Sequence, residues 1–225
     1  QTAFAQNLVP NPSFEDYTSC PDNQCQIHRA TGWLAFGYSP DYFTTCGQYD
    51  VASVPKNIHG HQVPATGNAY GGFFAMTDTT IFPNNNIREY MGIQLLTPLI
   101  IGNKYIVSFK VSLIDKARIA VNKIGVLFST VSYFMDSTTA CTNNATSLLP
   151  KNFAHVYTSN IISDTVNWTT ISGTFTADSA YQYVAIGNHF VDSLTSNIVI
   201  NSGNCCAAYY FVDDIYVAED TTTSV

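Results

Sequence analysis

Charge is scarce in this chain: only 11% of its 225 residues are charged and just nine are Lys or Arg, against roughly 25% charged in an ordinary soluble domain. Nine scattered basic residues form no stripe that could neutralise a phosphate backbone, so nucleic acid is excluded as a partner. An apolar run of the roughly 18 residues needed to span a bilayer is also missing. The longest, LLTPLII at 95–101, contains a proline, and no transmembrane segment is predicted. Capped helical periodicity is absent too. The nearest stretch, SLIDKARIAVNKI at 112–124, suits strand better, because Ile119 and Val121 are β-branched and Gly125 interrupts it. There is no G-x-S-x-G, H-E-x-x-H or P-loop. Arg88 and Glu89 read as an ion pair on a strand rather than as half of a glycosidase carboxylate pair. An enzyme is not expected.

What the chain has in quantity is Tyr, Phe, Thr, Ser and Asn, and these residues suit exposed β-surface and long polar loops. KYIVSFKVSL (104–113) alternates Tyr105, Val107, Phe109, Val111 and Leu113 against Ser108, Lys110 and Ser112, the signature of a half-buried strand. WTTISGTFTA (168–177) and YQYVAIGNHF (181–190) predict a paired hairpin around Asp178-Ser179. The fold class is all-β, an antiparallel two-sheet sandwich of jelly-roll type. One domain is expected over 7–218. Residues 1–6 read as a signal-peptide remnant or an extension strand, and 219–225 as a linker or tail.

Six cysteines, an even count, allow three bridges and imply an oxidising, extracellular or cell-surface setting. Cys20 and Cys25 bracket a turn and can join each other or Cys46, while an adjacent Cys205-Cys206 pair is expected to send at least one member to Cys141. His59-Gly60-His61, even with His189, lacks a further ligand and reads as loop histidines rather than zinc ligands. The sequons at Asn144 and Asn167, and Asp-Ser/Thr-apolar triplets at Asp164, Asp178 and Asp192, are modification signals only in a suitable host.

Carboxylates sit beside apolar runs at both ends, in NLVPNPSFEDY (7–17) and YYFVDDIYV (209–217). Strand parity turns Phe211, Asp213, Ile215 and Val217 to the core, and Asp214 outward with Val212 and Tyr216. An inward carboxylate needs a partner. Glu15 is available, and two carboxylates with loop carbonyls make a hard-oxygen site suited to Ca²⁺.

Those two end segments, with Gly32-Trp33 between them, resemble the frame of galactose-binding-like jelly-roll carbohydrate-binding modules. SPDYFTTC (39–46), VPKNIHGHQVPATGNAYGGFF (54–74) and YVAIGNHF (183–190) are similar to domains of Bacteroidota surface and type IX-secreted proteins. The resemblance implies a structural calcium held by Glu15 and Asp213, with Asp214 beside them, and places Trp33 in the core. It also implies a non-catalytic module that binds carbohydrate or cell-surface glycan in adhesion. Sugar recognition uses aromatic faces flanked by a few polar groups, and the expected ligand-binding residues are Tyr38, Asp41, Tyr42, Phe43, Tyr70, Phe73 and Phe74. The alternative is a structural subunit that self-associates into a fibre or surface layer by adding its N-terminal segment to a neighbour's sheet.

Overall fold

The computed structural model describes residues 5–81, 86–136, 147–200 and 207–221. Fourteen strands run in chain order: β1 (Trp33–Gly37), β2 (Asp41–Thr44), β3 (Lys56–Asn57), β4 (Gly60–His61), β5 (Ala69–Thr77), β6 (Tyr90–Gln94), β7 (Lys104–Leu113), β8 (Ile119–Val121), β9 (Ile124–Ser129), β10 (Val156–Tyr157), β11 (Thr169–Thr176), β12 (Tyr183–Asn188), β13 (Asn197–Val199) and β14 (Ala207–Glu219). Two five-stranded antiparallel sheets form the sandwich. The front sheet has the order β1-β6-β12-β9-β10 and the back sheet β11-β7-β14-β5-β2. The all-β expectation holds, and the 112–124 stretch is strand at both ends, as its β-branched content requires.

The alternation in β7 buries Tyr105, Val107, Phe109, Val111 and Leu113 between the sheets. Trp33 is fully buried and stacks on Phe14 at 4.6 Å. The predicted hairpin is different. β11 pairs with β7, whereas β12 pairs with β6 and β9, so the turn at Asp178-Ser179 carries the chain from one sheet to the other. Turn residues report that the chain reverses, and which sheet receives the next strand is decided by packing.

The parity of β14 also differs from expectation. Tyr210 and Val212 lie opposite Leu113 and Val111 and therefore face the inter-sheet core. Phe211 and Asp213 lie opposite Ser112 and Lys110, on the outer face of the back sheet. A bulge between Asp213 and Tyr216, with Asp214 at φ 56, then restores Val217 to the inner face opposite Val107. The outer layer is apolar as well, because residues 45–68 roof it. Phe211 packs against Phe43 and Tyr70 at ring separations of 5.5 and 4.7 Å, and His59 stacks on Tyr209 at 3.9 Å. Ser112 Oγ donates to Gln62 Oε1 at 3.0 Å, closing the roof onto β7. Each fully buried ring in these two layers contributes about 1.5–3 kcal/mol of hydrophobic stabilisation.

Residues 5–12 complete the back sheet beyond the end of β5. Leu8 N–H donates to Val217 O at 2.7 Å, and the Asn7 side chain bonds both Ile215 O and the Val217 N–H. At the far end, β14 runs to Glu219 and Asp220 bonds Lys104, so the first two residues expected to belong to a linker or tail are held by the sheet.

Candidate functional site

Along β6 the outward positions are Tyr90, Gly92 and Gln94, opposite the inward Met91 and Ile93. Gly92 is required by contact: an added Cβ would stand 2.5 Å from the Phe36 ring. Half of this outer face is covered, since Phe36, Tyr90, Leu127, Leu149 and Ala185 form a buried satellite cluster. The other half is open. Tyr183 lies directly across from Gln94, and a bridge between Ala35 and Met135 straps residues 132–135 along the edge of β1, placing Phe134 beside them. The result is an open groove of about 630 Å³ bordered by Leu34, Gln94, Leu96, Ser132, Phe134 and Tyr183. Phe134 and Leu96 are 50% and 51% exposed. The groove thus offers ring faces, an amide, a hydroxyl and a phenol, with no ionised group among these lining residues.

None of the aromatic positions expected to meet a ligand lies in this groove. Tyr42, Phe43, Tyr70 and Phe73 are at most 1% exposed, so none offers a free face. Their positions correct the expectation, and the reason is the double layering of the back sheet: Tyr42 and Phe73 fill the inner layer, Phe43 and Tyr70 the outer one. Tyr42 and Tyr70 satisfy their hydroxyls on backbone oxygens of Phe14 and Gln62. Phe74 is half-buried, its ring edge-on to Tyr209 at 4.9 Å. Tyr38 is half-buried at φ 51.

Asp41 is buried and takes a structural role. Its carboxylate accepts the Tyr209 hydroxyl at 2.6 Å and the Cys25 N–H, with His59 Nε2 at 3.4 Å. Glu89 is buried close by, bonded to Ser39 Oγ at 2.6 Å and the Phe74 N–H at 2.8 Å. Burial first, and the Asp41 charge second, push the Glu89 carboxyl well above its usual range. The expected Arg88–Glu89 ion pair on a strand is not formed: both residues precede β6, and the Glu89 carboxylate is taken by Ser39 and the Phe74 N–H. Arg88 pairs instead with Asp192 at 2.8 Å. His189 is buried against Tyr90, and burial lowers it to about 3, so its imidazole is neutral.

Glu15, Asp213 and Asp214 do converge, on the turn at residues 65–68. Asp213 accepts the N–H groups of Ala65, Thr66 and Asp214. Glu15 accepts the Asn68 N–H at 2.7 Å, and Asp214 accepts Lys110 Nζ at 2.7 Å and the hydroxyls of Thr66 and Ser13. These carboxylates face N–H, hydroxyl and ammonium donors rather than other oxygen ligands. As arranged, the donor set does not fit a Ca²⁺ ion, which takes six to eight oxygens. Among the described residues, no three His, Cys, Asp or Glu side chains are grouped to hold a metal.

Cys20 and Cys46 form a disulfide, and Cys25 is disulfide-bonded as well, so the Cys20–Cys25 alternative falls. Cys141, Cys205, Cys206 and the Asn144 sequon lie outside the described residues. Among the described residues, no helix is long and apolar enough to cross a membrane.

No protein-family model and no curated protein matches the chain. Similar solved structures include the CBM22-1 xylan-binding domain from Paenibacillus barcinonensis Xyn10C, with 11% identity, a TM-score of 0.49, and 99% of this chain and 100% of that one covered. TmCBM61 in complex with beta-1,4-galactotriose has 12% identity, a TM-score of 0.38, and coverage of 96% and 100%. The enzymatically active domain of bacteriophage CBA120 tailspike protein 4 has 7% identity, a TM-score of 0.43, and coverage of 95% and 21%.

Proposed function

We propose that the chain is a non-catalytic, extracellular carbohydrate-binding module that holds a glycan in the front-sheet groove. The observation that carries this reading is the pairing of Tyr183 with Gln94 beside the exposed Phe134 ring. Pyranose rings present apolar C–H faces and hydroxyl rims, and two aromatic faces with an amide, a hydroxyl and a phenol match both. The groove is open along its length, which suits an oligosaccharide lying across β1, β6 and β12. The uncharged lining favours a neutral glycan over a uronic or sulfated one.

Affinity electrophoresis through gels containing neutral plant or microbial polysaccharides tests the proposal. The wild-type protein is retarded by at least one of them, and Tyr183→Ala abolishes the retardation while leaving the melting temperature unchanged. Retardation that survives in Tyr183→Ala would place the glycan elsewhere.

A further inference from the structure

A second pocket lies on the other side of the molecule, at the bulge of β14. It measures about 350 Å³, and its polar lining comes from Asn7, Ser108, Lys110, Thr170, Asp214 and Tyr216. Register explains the assembly. Thr170 of β11 stands across from Lys110 of β7, and Ser108 across from Tyr216 of β14. The bulge inserts one residue between these pairs and turns the Asp214 carboxylate onto Lys110 Nζ at 2.7 Å. Bulges of this kind re-aim a side chain, and a non-glycine residue at φ 56 is held there against a local preference.

The pocket's chemistry is specific. Lys110 and Asp214 neutralise each other, so neither an anion nor a cation gains net charge stabilisation. Each keeps hydrogen-bonding capacity, since an ammonium has three donors and a carboxylate oxygen two lone pairs. Lys110 and Asp214 side chains remain 34% and 26% exposed, so both are reachable. The Ser108 and Thr170 hydroxyls make no hydrogen bond among the described residues. A donor and an acceptor held at hydrogen-bond spacing are complementary to two adjacent hydroxyls, one accepting from Lys110 and the other donating to Asp214. The half-buried Tyr216 ring stands beside them, its hydroxyl already tied to Ala5 O at 3.1 Å.

We infer that this bulge pocket is a separate binding site for a single neutral pyranose, gripped through a vicinal diol by the Lys110–Asp214 pair and flanked by Tyr216. The site shares no residue with the front-sheet groove and stands whether or not the groove binds a glycan.

Nuclear magnetic resonance titration of ¹⁵N-labelled protein with the methyl glycosides of D-galactose, D-mannose and D-glucose tests it, with inorganic phosphate as the anionic comparison. At least one glycoside is expected to give saturating shifts of the Ser108, Thr170 and Tyr216 amides, and phosphate none. Asp214→Asn keeps a side chain that tolerates positive φ and weakens binding at least tenfold. Thr170→Val, on an exposed strand position, weakens it several-fold and guards against a folding defect in the first variant. Absence of saturating shifts at these amides with all three glycosides overturns the inference, as does undiminished affinity in both variants. Shifts at Gln94 and Tyr183 alone would overturn this site and leave the groove reading intact. Shifts at the bulge that persist in Tyr183→Ala support the site by itself.

Discussion

Asp213 lies opposite Lys110 across β14 and β7, yet the carboxylate that Lys110 reaches, at 2.7 Å, belongs to Asp214. The bulge separates the two acids. Asp214 is drawn to an ammonium and two hydroxyls, whose combined effect outweighs its burial and holds its carboxyl below the ordinary value. Asp213 is left buried with backbone N–H groups alone, and burial pushes it up to about 7.

The pH dependence of stability follows from this contrast. Between about pH 4, where an unfolded Asp ionises, and about pH 7, the native state holds a proton on Asp213 that the unfolded chain has released. The contribution of Asp213 therefore falls as pH rises through that window, and Glu89, raised by burial and by Asp41, acts in the same direction, while His189 and His155, lowered by burial to about 3 and about 4, act in the opposite one below about pH 6.5. The expected slope reaches at most about 1.4 kcal/mol per pH unit for each group. Urea unfolding of the wild type and of Asp213→Asn at pH 5 and pH 8 measures it, and the stability of the wild type relative to the variant is expected to fall between the two pH values. A difference between the wild type and Asp213→Asn that stays constant from pH 5 to pH 8 contradicts the assignment.

Calcium provides a second check. The carboxylates of Glu15, Asp213 and Asp214 are occupied by N–H, hydroxyl and ammonium donors. Exhaustive treatment with EDTA is therefore expected to leave the melting temperature unchanged within about 1 °C, since one kcal/mol shifts a domain of this size by roughly 2–4 °C. Stoichiometric calcium in the purified protein, together with a large fall on chelation, would show instead that the 65–68 turn directs carbonyl oxygens to a bound ion.

Asn7 is expected to matter more than its place near the N-terminus suggests. Its side chain donates to Ile215 O at 2.9 Å and accepts the Val217 N–H at 3.0 Å, finishing the sheet edge where β5 has ended. Asn7→Ala leaves three partly buried backbone groups unpaired, the Ile215 carbonyl and the N–H groups of Val217 and Val9, and costs about 1–3 kcal/mol. Chemical denaturation reads that loss directly. Because residues 5–12 already serve their own sheet, deleting residues 1–4 is expected to leave the assembly state in light scattering unchanged. Filaments that vanish on that deletion would favour the fibre-subunit alternative.

Reduction of the Cys20–Cys46 bridge, which spans 26 residues, removes a constraint on the unfolded chain worth roughly 3 kcal/mol. The Cys20→Ala/Cys46→Ala double variant is expected to lose stability by about that amount while keeping the groove, which lies on the opposite sheet. Loss of glycan binding out of proportion to the stability change would contradict that separation.

How much of this was readable beforehand depended on locality. The alternation in β7 was plain, because every inward residue meets the same core. The orientation of Asp213 was not, since the bulge at Asp214 exchanges the faces within a few residues and leaves no mark in the apolar pattern. The aromatics of β2 and β5 looked available because they flank glycines and polar residues, but a roof formed by residues 45–68 covers them. The groove is assembled from β6, β12 and a strapped loop far apart in sequence. Gln94, a polar residue closing an apolar strand, was its one local signal. Six cysteines correctly announced disulfides, but spacing alone did not choose Cys46 over Cys25 as the partner of Cys20.

Glycan binding in the front-sheet groove is read by a glycan array probed with the wild-type protein and with a Tyr183→Ala/Phe134→Ala double variant of matched melting temperature. The wild type is expected to capture neutral oligosaccharides of a common backbone, and the variant to lose that signal. A wild-type protein that captures no glycan, or a variant that captures the same ones equally well, contradicts binding in that groove.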